Sequence, residues 1–317
     1  MKLKLERRVI IGVIYIVSNE KYINYFKKGF LKYVPELLLP KLNPRIIDDI
    51  LIEENIIGKI VGINLKPIDL EDEHQLKEYL NAIIKLKDEN STKLFIEGHE
   101  NLSKKVISQI EEFTNMKVAN GEETRITNIH LVMNDICHIL KENLEDKEIL
   151  IICDNKEKTK RIIKEISKGV KFVTAIGCEK DNDEIYEYIL GETGISLFFP
   201  SNIDRVLENY GMIINLVDNL ELNLSNVRKS CIIFDFGKSN NLGSGKRPPS
   251  ITDFAFNLKD LGINGNQFMG NKITSDLYEA LMENRNRGIK YLYVGGNYYS
   301  IKDYVSSFIK VKLKGKL

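Results

Sequence analysis

The sequence predicts an α/β protein: a doubly wound, parallel, Rossmann-like sheet with a second, N-terminal α/β lobe before it. The first observation is five short apolar runs, at 148–153, 171–176, 195–199, 212–216 and 231–236. These runs are continuously hydrophobic, as is typical of parallel strands that are covered on both faces. Helical segments separate the first four runs, at 156–168, 183–190 and 202–209. Such helices supply the right-handed crossovers of a parallel sheet.

The first third of the chain mixes strand and helix patterns. The predicted elements are, in order, a strand at 9–17, a helix from residue 22 to near Tyr33, a hairpin of 49–54 and 59–65, a helix at 70–87, a strand at 94–96, a helix at 102–113 and a strand at 116–118. Pro35 and Pro40 limit the first helix, because proline breaks a helix interior. Asn55 and Gly58 lie where the hairpin turns.

A long helix at 124–144 follows the predicted turn at Asn120-Gly121 and connects the two lobes. Its apolar positions recur with a helical period, so one face packs against the protein. The predicted domains are an N-terminal α/β lobe at 1–123, the connector helix at 124–147, and a Rossmann-like domain with C-terminal helices at 148–317. Within the last domain we expect a helix at 273–285, a strand at 291–294, a helix at 301–309 and a solvated, lysine-rich tail.

Composition excludes several classes of protein. The 46 basic residues balance 45 acidic ones in 317 residues, so the net charge of the chain favours no class of binding partner. Four scattered cysteines without a CxxC pair argue for a reducing, cytoplasmic location and against a structural zinc site, and no metal is expected. The apolar run at 9–17 is too short to span a bilayer. We expect no membrane span, no signal peptide and no nucleic-acid partner, although the lysine-rich ends keep nucleic-acid or membrane contact as a weaker alternative. Homo-oligomerisation is left open.

The loops after the five strands are the candidate binding site, because open parallel sheets bind ligands beyond the carboxyl ends of their strands. The first loop contains Asp154 and Asn155 in place of a glycine-rich turn. Asp154 would repel a phosphate, which Lys156, Lys158 and Lys160 would partly offset, and either Asp154 or Asn155 suits a helix N-cap. The loop therefore disfavours NAD in its usual pose.

The remaining loops add polar candidates. Glu179 would accept the ribose hydroxyls of an adenosine or else be solvated, and Asn215 would be a buried structural amide or a site residue. A long glycine-rich loop follows the fifth strand, without the spacing of a P-loop. The candidate ligand-binding residues are Asp154, Asn155, Glu179, Asn215, Asp235, Gly237, Lys238, Asn241 and Gly243. The expected partner is a nucleotide or other small molecule, bound between the lobes, and NADP or NAD is the cofactor that the fold class admits.

Several short motifs resemble long-chain acyl-acyl-carrier-protein reductases and, more remotely, the shikimate dehydrogenase and glutamyl-tRNA reductase group. They are PRIIDDI at 44–50, GKIV at 58–61, the Asn-Gly turn before the long helix, CIIFDFG at 231–237 and NLGS at 241–244. The resemblance implies a two-lobed Rossmann enzyme that uses NADPH, with the last two motifs beside the nicotinamide.

Two features depart from those reductases. The glycine-rich cofactor loop is replaced by 154–158, and Asp276 stands in the stretch where the reductases have a catalytic cysteine. A carboxylate there cannot form the thioester intermediate of aldehyde production. Two hypotheses follow: an oxidoreductase-like protein that binds a nucleotide or small anionic ligand, or a catalytically inactive relative that acts as a binding or regulatory protein. No catalytic residue is assigned.

Overall fold

The computed structural model describes residues 12–27, 34, 42–218, 224–237, 248–264, 267–282 and 288–309. The chain forms two compact units. The first comprises Met1–Gly121 and Phe256–Arg285, and the second comprises Glu122–Ala255 and Asn286–Leu317. Residues Phe256–Arg285 group with the N-terminal residues in the first unit, and the long helix groups with the second unit.

The first unit is built on a five-stranded mixed sheet. Its strands are β1 (Gly12–Val17), β2 (Arg45–Ile52), β3 (Asn55–Gly62), β4 (Ser91–Ile96) and β5 (Lys117–Val118), in the order β2-β3-β1-β4-β5. Strand β1 pairs in parallel with β3 and β4, and β4 pairs in parallel with β5. Strand β2 runs antiparallel to β3, which confirms a hairpin, but the predicted turn at Asn55 and Gly58 was wrong, because both residues pair with β2 as part of β3. The hairpin turn passes through Glu53, which has φ of 56°.

Three helices belong to this sheet: α1 (Asn19–Phe26), α2 (Glu73–Leu86) and α3 (Lys104–Thr114). Each begins at an N-cap residue whose side chain accepts a hydrogen bond from a backbone N–H of the first turn. These N-cap residues are Ser18, Asp72 and Ser103 respectively. The prediction that the first helix ends near Tyr33 was wrong, because the backbone leaves the helical conformation at Lys27. The prolines marked only the last position at which that helix could end.

The second unit contains the predicted Rossmann-like sheet. Its elements are α4 (Glu122–Leu140), β6 (Ile149–Ile152), α5 (Lys156–Ile166), β7 (Phe172–Ile176), α6 (Asn182–Thr193), β8 (Ser196–Phe198), β9 (Met212–Asn215) and β10 (Ile232–Asp235). The strands pair in parallel in the order β10-β9-β6-β7-β8. Numbered along the chain, this order is the reverse of 3-2-1-4-5, the Rossmann arrangement without its sixth strand. The predicted doubly wound parallel fold is confirmed.

The predicted helix at 202–209 was wrong. The segment instead forms two short 3₁₀ turns, Ile203–Arg205 and Leu207–Asn209. Its polar residues include Asn202, Asp204 and Asn209, which are residue types with low helix propensity. Leu207 and Tyr210 still complete the core on this face of the sheet, with Leu150, Ile213 and Ile233 among the buried residues of the cluster.

The last part of the chain contains three strands that the sequence did not reveal. They are β11 (Asp253–Asn257), β12 (Lys272–Thr274) and β14 (Asn297–Ser300). The predicted helix at 273–285 begins later than expected, because β12 (Lys272–Thr274) precedes α7 (Ser275–Leu281). The predicted strand β13 (Tyr291–Val294) and helix α8 (Ile301–Phe308) are confirmed. The lysine-rich tail at 310–317 lies outside the described residues. Among the helices described, none has the length and apolar character needed to cross a bilayer.

Candidate functional site

The carboxyl edge of the sheet in the second unit contains a topological switch point. The chain leaves β6 toward β7 on one side, whereas it leaves β9 toward β10 on the other. Because β6 and β9 are neighbours, the loops that follow them diverge and leave a crevice between them. Ligands of doubly wound folds bind in such a crevice. We call the loops after β6, β7, β9 and β10 the switch-point edge.

The turn from β6 into α5 is closed by its own side chains. The Oδ1 atom of Asn155 accepts a hydrogen bond from the backbone N–H of Lys158 at 3.0 Å, so Asn155 is the N-cap of α5. Asp154 is exposed beside it. This arrangement agrees with the N-cap interpretation of the loop. It also uses one of the amide donors that a diphosphate would need at a helix N-terminus.

Charged side chains of α5 are paired with carboxylates. The Nζ atoms of Lys156 and Lys160 lie 2.6 Å and 2.7 Å from the carboxylate of Glu184 on α6. Lys158 pairs with Glu122 of α4 at 2.5 Å. Hydrogen bonds from Lys156 and Lys160 lower the pKa of Glu184 to about 2. The three lysines that were expected to offset Asp154 are therefore engaged elsewhere.

Replacing Lys160 with methionine is expected to raise the pKa of Glu184 from about 2 toward its ordinary value of 4.5, because one of its two hydrogen-bond donors is lost. The paired carboxylate stabilises the fold above the unfolded-state pKa of about 4, and this contribution disappears as the pH falls toward 2. Carbon-13 NMR titration of the glutamate carboxyl groups would measure the change. Lys164→Met is the matched control, because Lys164 pairs with Glu192 instead. An unchanged Glu184 titration in Lys160→Met would contradict the pairing.

The loop after β7 approaches the loop after β6 closely. Gly177 has φ of 102°, and a Cβ atom there would lie 2.5 Å from the carbonyl oxygen of Cys153. The thiol of Cys178 lies 3.2 Å from the same carbonyl oxygen, within hydrogen-bond distance. Glu179 Oε1 accepts the N–H of Gly177 at 3.1 Å, while the Glu179 side chain is exposed. The carboxylate is thus held in place at the edge and still faces solvent.

A buried network joins the loops after β9 and β10. The Nδ2 atom of Asn215 donates to Asp235 Oδ1 at 2.8 Å and to the carbonyl oxygen of Val217 at 2.9 Å. Its Oδ1 accepts the N–H of Val217 at 3.0 Å. Asn215 is 0% exposed and Asp235 is 3% exposed. These hydrogen bonds satisfy the buried amide of Asn215 and connect the ends of β9 and β10.

Arg125 on α4 lies next to Phe236, in the loop after β10. Its guanidinium carbon lies 5.6 Å from the centre of the Phe236 ring, directly after β10, and its Nη1 lies 3.5 Å from Asp253 Oδ2. Asp253 itself is 8% exposed. The pairing of Arg125 with Asp253 could not be predicted from the sequence, because the two residues are 128 positions apart. No local pattern connects them.

Within the glycine-rich loop after β10, Gly237 belongs to the described residues and 238–247 do not. Gly237 is required where it stands, since a Cβ atom would lie 2.1 Å from the carbonyl oxygen of Val217 and 2.9 Å from Asn215 Nδ2. The candidates Lys238, Asn241 and Gly243 lie outside the described residues. Of the predicted site residues that are described, all six follow or end strands at the switch-point edge: Asp154, Asn155, Glu179, Asn215, Asp235 and Gly237. Within the described ranges, no three metal-ligating side chains converge.

Comparison with known proteins gives similarity of fold only. No family model matches the sequence, and no curated protein matches it. Similar solved structures include L-tryptophan dehydrogenase from Nostoc punctiforme, at 14% identity and a TM-score of 0.32 over 73% of this chain and 63% of that one. Quinate dehydrogenase from Corynebacterium glutamicum in complex with NAD is 9% identical, with a TM-score of 0.31 over 71% of this chain and 79% of that one. Aspartate transcarbamoylase from Trypanosoma cruzi is 7% identical, with a TM-score of 0.32 over 71% of this chain and 69% of that one. These values are too low to identify a family, substrate or cofactor.

Proposed function

We propose that this protein binds a nucleoside-type ligand at the switch-point edge of its second unit, and that it is a binding or regulatory protein with an oxidoreductase-like fold. The observation that carries the proposal is the chemistry of the edge: exposed oxygen acceptors from Asp154 and Glu179 stand beside lysines that are already paired with carboxylates. Acceptors of this kind suit the hydroxyl groups of a ribose.

Glu179 is the residue that we expect to bind the ribose. It follows β7, the strand next to β6, where Rossmann proteins use an acidic residue for that purpose. One oxygen of its carboxylate is oriented by the N–H of Gly177 at 3.1 Å, which limits the freedom of the side chain. A vicinal diol could then donate to the exposed carboxylate without displacing that bond.

The diphosphate of NAD or NADP does not fit the described part of the edge. Asn155 caps α5 with its own side chain, and Asp154 would lie close to a phosphate there. Like charges at short distance are costly when no cation compensates them. We therefore derive no hydride-transfer step. The hypothesis of a small anionic ligand is disfavoured for the same reason.

Isothermal titration calorimetry with adenosine, 2′,3′-dideoxyadenosine, NADH and NADPH tests the proposal. Adenosine should bind, the dideoxy analogue should bind about tenfold more weakly, and the dinucleotides should gain no affinity over adenosine, because a lost hydrogen bond to a charged group costs about 1.5 kcal/mol or more. Glu179→Gln should weaken adenosine binding by a similar factor. The matched control is Glu187→Gln, at an exposed glutamate on α6.

Tighter binding of NADH or NADPH than of adenosine, by about tenfold or more, would contradict this account, because the diphosphate would then contribute about 1.4 kcal/mol of affinity. Such a result would restore the hypothesis of a cofactor-dependent oxidoreductase. Equal binding by Glu179→Gln and the unmodified protein would remove the proposed role of Glu179.

A further inference from the structure

The first unit has a switch point of its own. The chain leaves β1 through α1 toward β2 and β3, whereas it leaves β4 through α3 toward β5 on the opposite side. Strands β1 and β4 are parallel neighbours, and ligands of doubly wound folds bind outside the carboxyl ends of such a pair. Two side chains that the proposed function does not use meet beside these ends: His99, in the loop after β4, and Asp276, in the first turn of α7.

The imidazole of His99 is oriented between two carboxylates. Its Nδ1 atom lies 3.8 Å from Asp276 Oδ2 and 3.8 Å from Glu100 Oε2. That atom is buried and makes no hydrogen bond to any described residue, whereas the His99 side chain as a whole is 13% exposed. The exposed part of the ring therefore lies away from Nδ1. A ring held in this way leaves Nε2 as the nitrogen available to a ligand.

Asp276 is held rigidly. Its Oδ1 accepts hydrogen bonds from Thr274 Oγ1 at 2.5 Å and from the N–H of Leu277 at 2.7 Å, so Oδ2 is the oxygen turned toward His99. Helix α7 is itself tied to β4, because Lys93 Nζ donates to the carbonyl oxygen of Glu279 at 2.8 Å. The distance of 3.8 Å exceeds a hydrogen bond, but such pairs often shorten when a ligand binds.

The charges around the ring favour one class of ligand. Glu97, after β4, already accepts the Tyr15 hydroxyl, the N–H of Ser18 and the Lys21 ammonium group. Burial, followed by the charge of Glu97, raises the pKa of Tyr15, so Tyr15 remains a neutral phenol at physiological pH. The groups next to His99 are the carboxylates of Asp276 and Glu100. An anionic molecule would be repelled there.

We propose that His99 and Asp276 form a binding site for a neutral or cationic small molecule that carries a hydroxyl group. Nε2 of His99 accepts a hydrogen bond from that hydroxyl group, so no negative charge develops on the oxygen beside the two carboxylates. Asp276 is a positioning residue that keeps the proton of the neutral ring on Nδ1. This binding is independent of nucleoside binding by the second unit.

Nitrogen-15 NMR of the full chain, labelled in histidine, tests the positioning role. His99 signals are assigned by their loss in His99→Gln. The neutral ring should carry its proton on Nδ1 in the unmodified protein, and this tautomer should lose population in Asp276→Asn. Asp276→Glu should restore it, and Glu100→Gln, which alters the more exposed carboxylate, should change it less. A ring protonated on Nε2 in the unmodified protein, or an unchanged tautomer in Asp276→Asn, would overturn the proposal.

Carbethoxylation by diethyl pyrocarbonate, followed by peptide mass spectrometry, tests reactivity and ligand class. Modification of His99 should be slower in Asp276→Asn than in the unmodified protein, because the carboxylate no longer orients the ring. Choline should protect His99 and lactate should not, while His74 provides the internal control. Failure of choline to protect, or equal protection by lactate, would overturn the assigned ligand class.

Discussion

Replacing Asn215 with aspartate is expected to lower the free energy of unfolding at pH 7 by about 3–5 kcal/mol, the range for disrupting a buried interaction with a charged group. The substitution exchanges the Nδ2 donor, which lies 2.8 Å from Asp235 Oδ1, for a carboxylate oxygen. Two carboxylates would then face each other at a site where both residues are almost fully buried. Neither can ionise freely beside the other.

The pH dependence of this variant has a distinctive sign. In the folded state one of the two carboxyl groups takes up a proton, whereas in the unfolded state both are ionised above about pH 4. The folded state therefore binds more protons, so the stability of the variant rises as the pH falls from 7 toward about 5. Urea unfolding followed by circular dichroism at both pH values measures this change.

Asn215→Ala provides the control, because it removes the same hydrogen bonds without adding a charge. Its loss of stability should be similar at both pH values. If Asn215→Asp were destabilised equally at pH 7 and pH 5, the contact between Asn215 and Asp235 would not be the buried pair that the structure shows.

Gly177→Ala is expected to destabilise the second unit by about 2–4 kcal/mol, because it combines backbone strain with overpacking. Gly177 has φ of 102°, and the added Cβ atom would lie 2.5 Å from the carbonyl oxygen of Cys153. The clash is with the backbone of the neighbouring loop, so relief requires the two loops to separate. Chemical denaturation of the variant measures the loss of stability.

Gly191→Ala is the matched substitution. Gly191 lies inside α6, and a Cβ atom there would meet nothing within 4 Å. Alanine stabilises a helix interior relative to glycine, so this variant should gain about 0.5–1 kcal/mol. A Gly177→Ala variant as stable as the unmodified protein would show that the loops after β6 and β7 do not approach as described.

The strands were predictable because their signal is local. Four consecutive apolar residues, as in ILII of β6 and CIIF at 231–234, mark a strand that is covered on both faces wherever they occur. Helix ends were harder to predict. Residues 202–209 contain an apolar pattern suited to the sheet, but they include polar residue types with low helix propensity, and the segment forms 3₁₀ turns.

The candidate site was predictable only where topology fixes it. Asp154, Asn155 and Glu179 were found because any loop after a parallel strand faces the same edge. Arg125 with Asp253, and His99 with Asp276, were not found, because each pair brings together distant parts of the chain. The pairing of Lys156 and Lys160 with Glu184 likewise depends on how α5 packs against α6. The resemblance to reductases drew attention to Asp276 without revealing its neighbour.

An NMR titration of the nitrogen-15-labelled protein with adenosine tests whether a nucleoside binds at the switch-point edge. We expect saturable shifts of the backbone amides of Asn155, Gly177, Glu179 and Val217, which belong to the loops around the switch point of the second unit. Saturable shifts confined to residues of the first unit, or no saturable shift in these loops, would contradict the proposed binding.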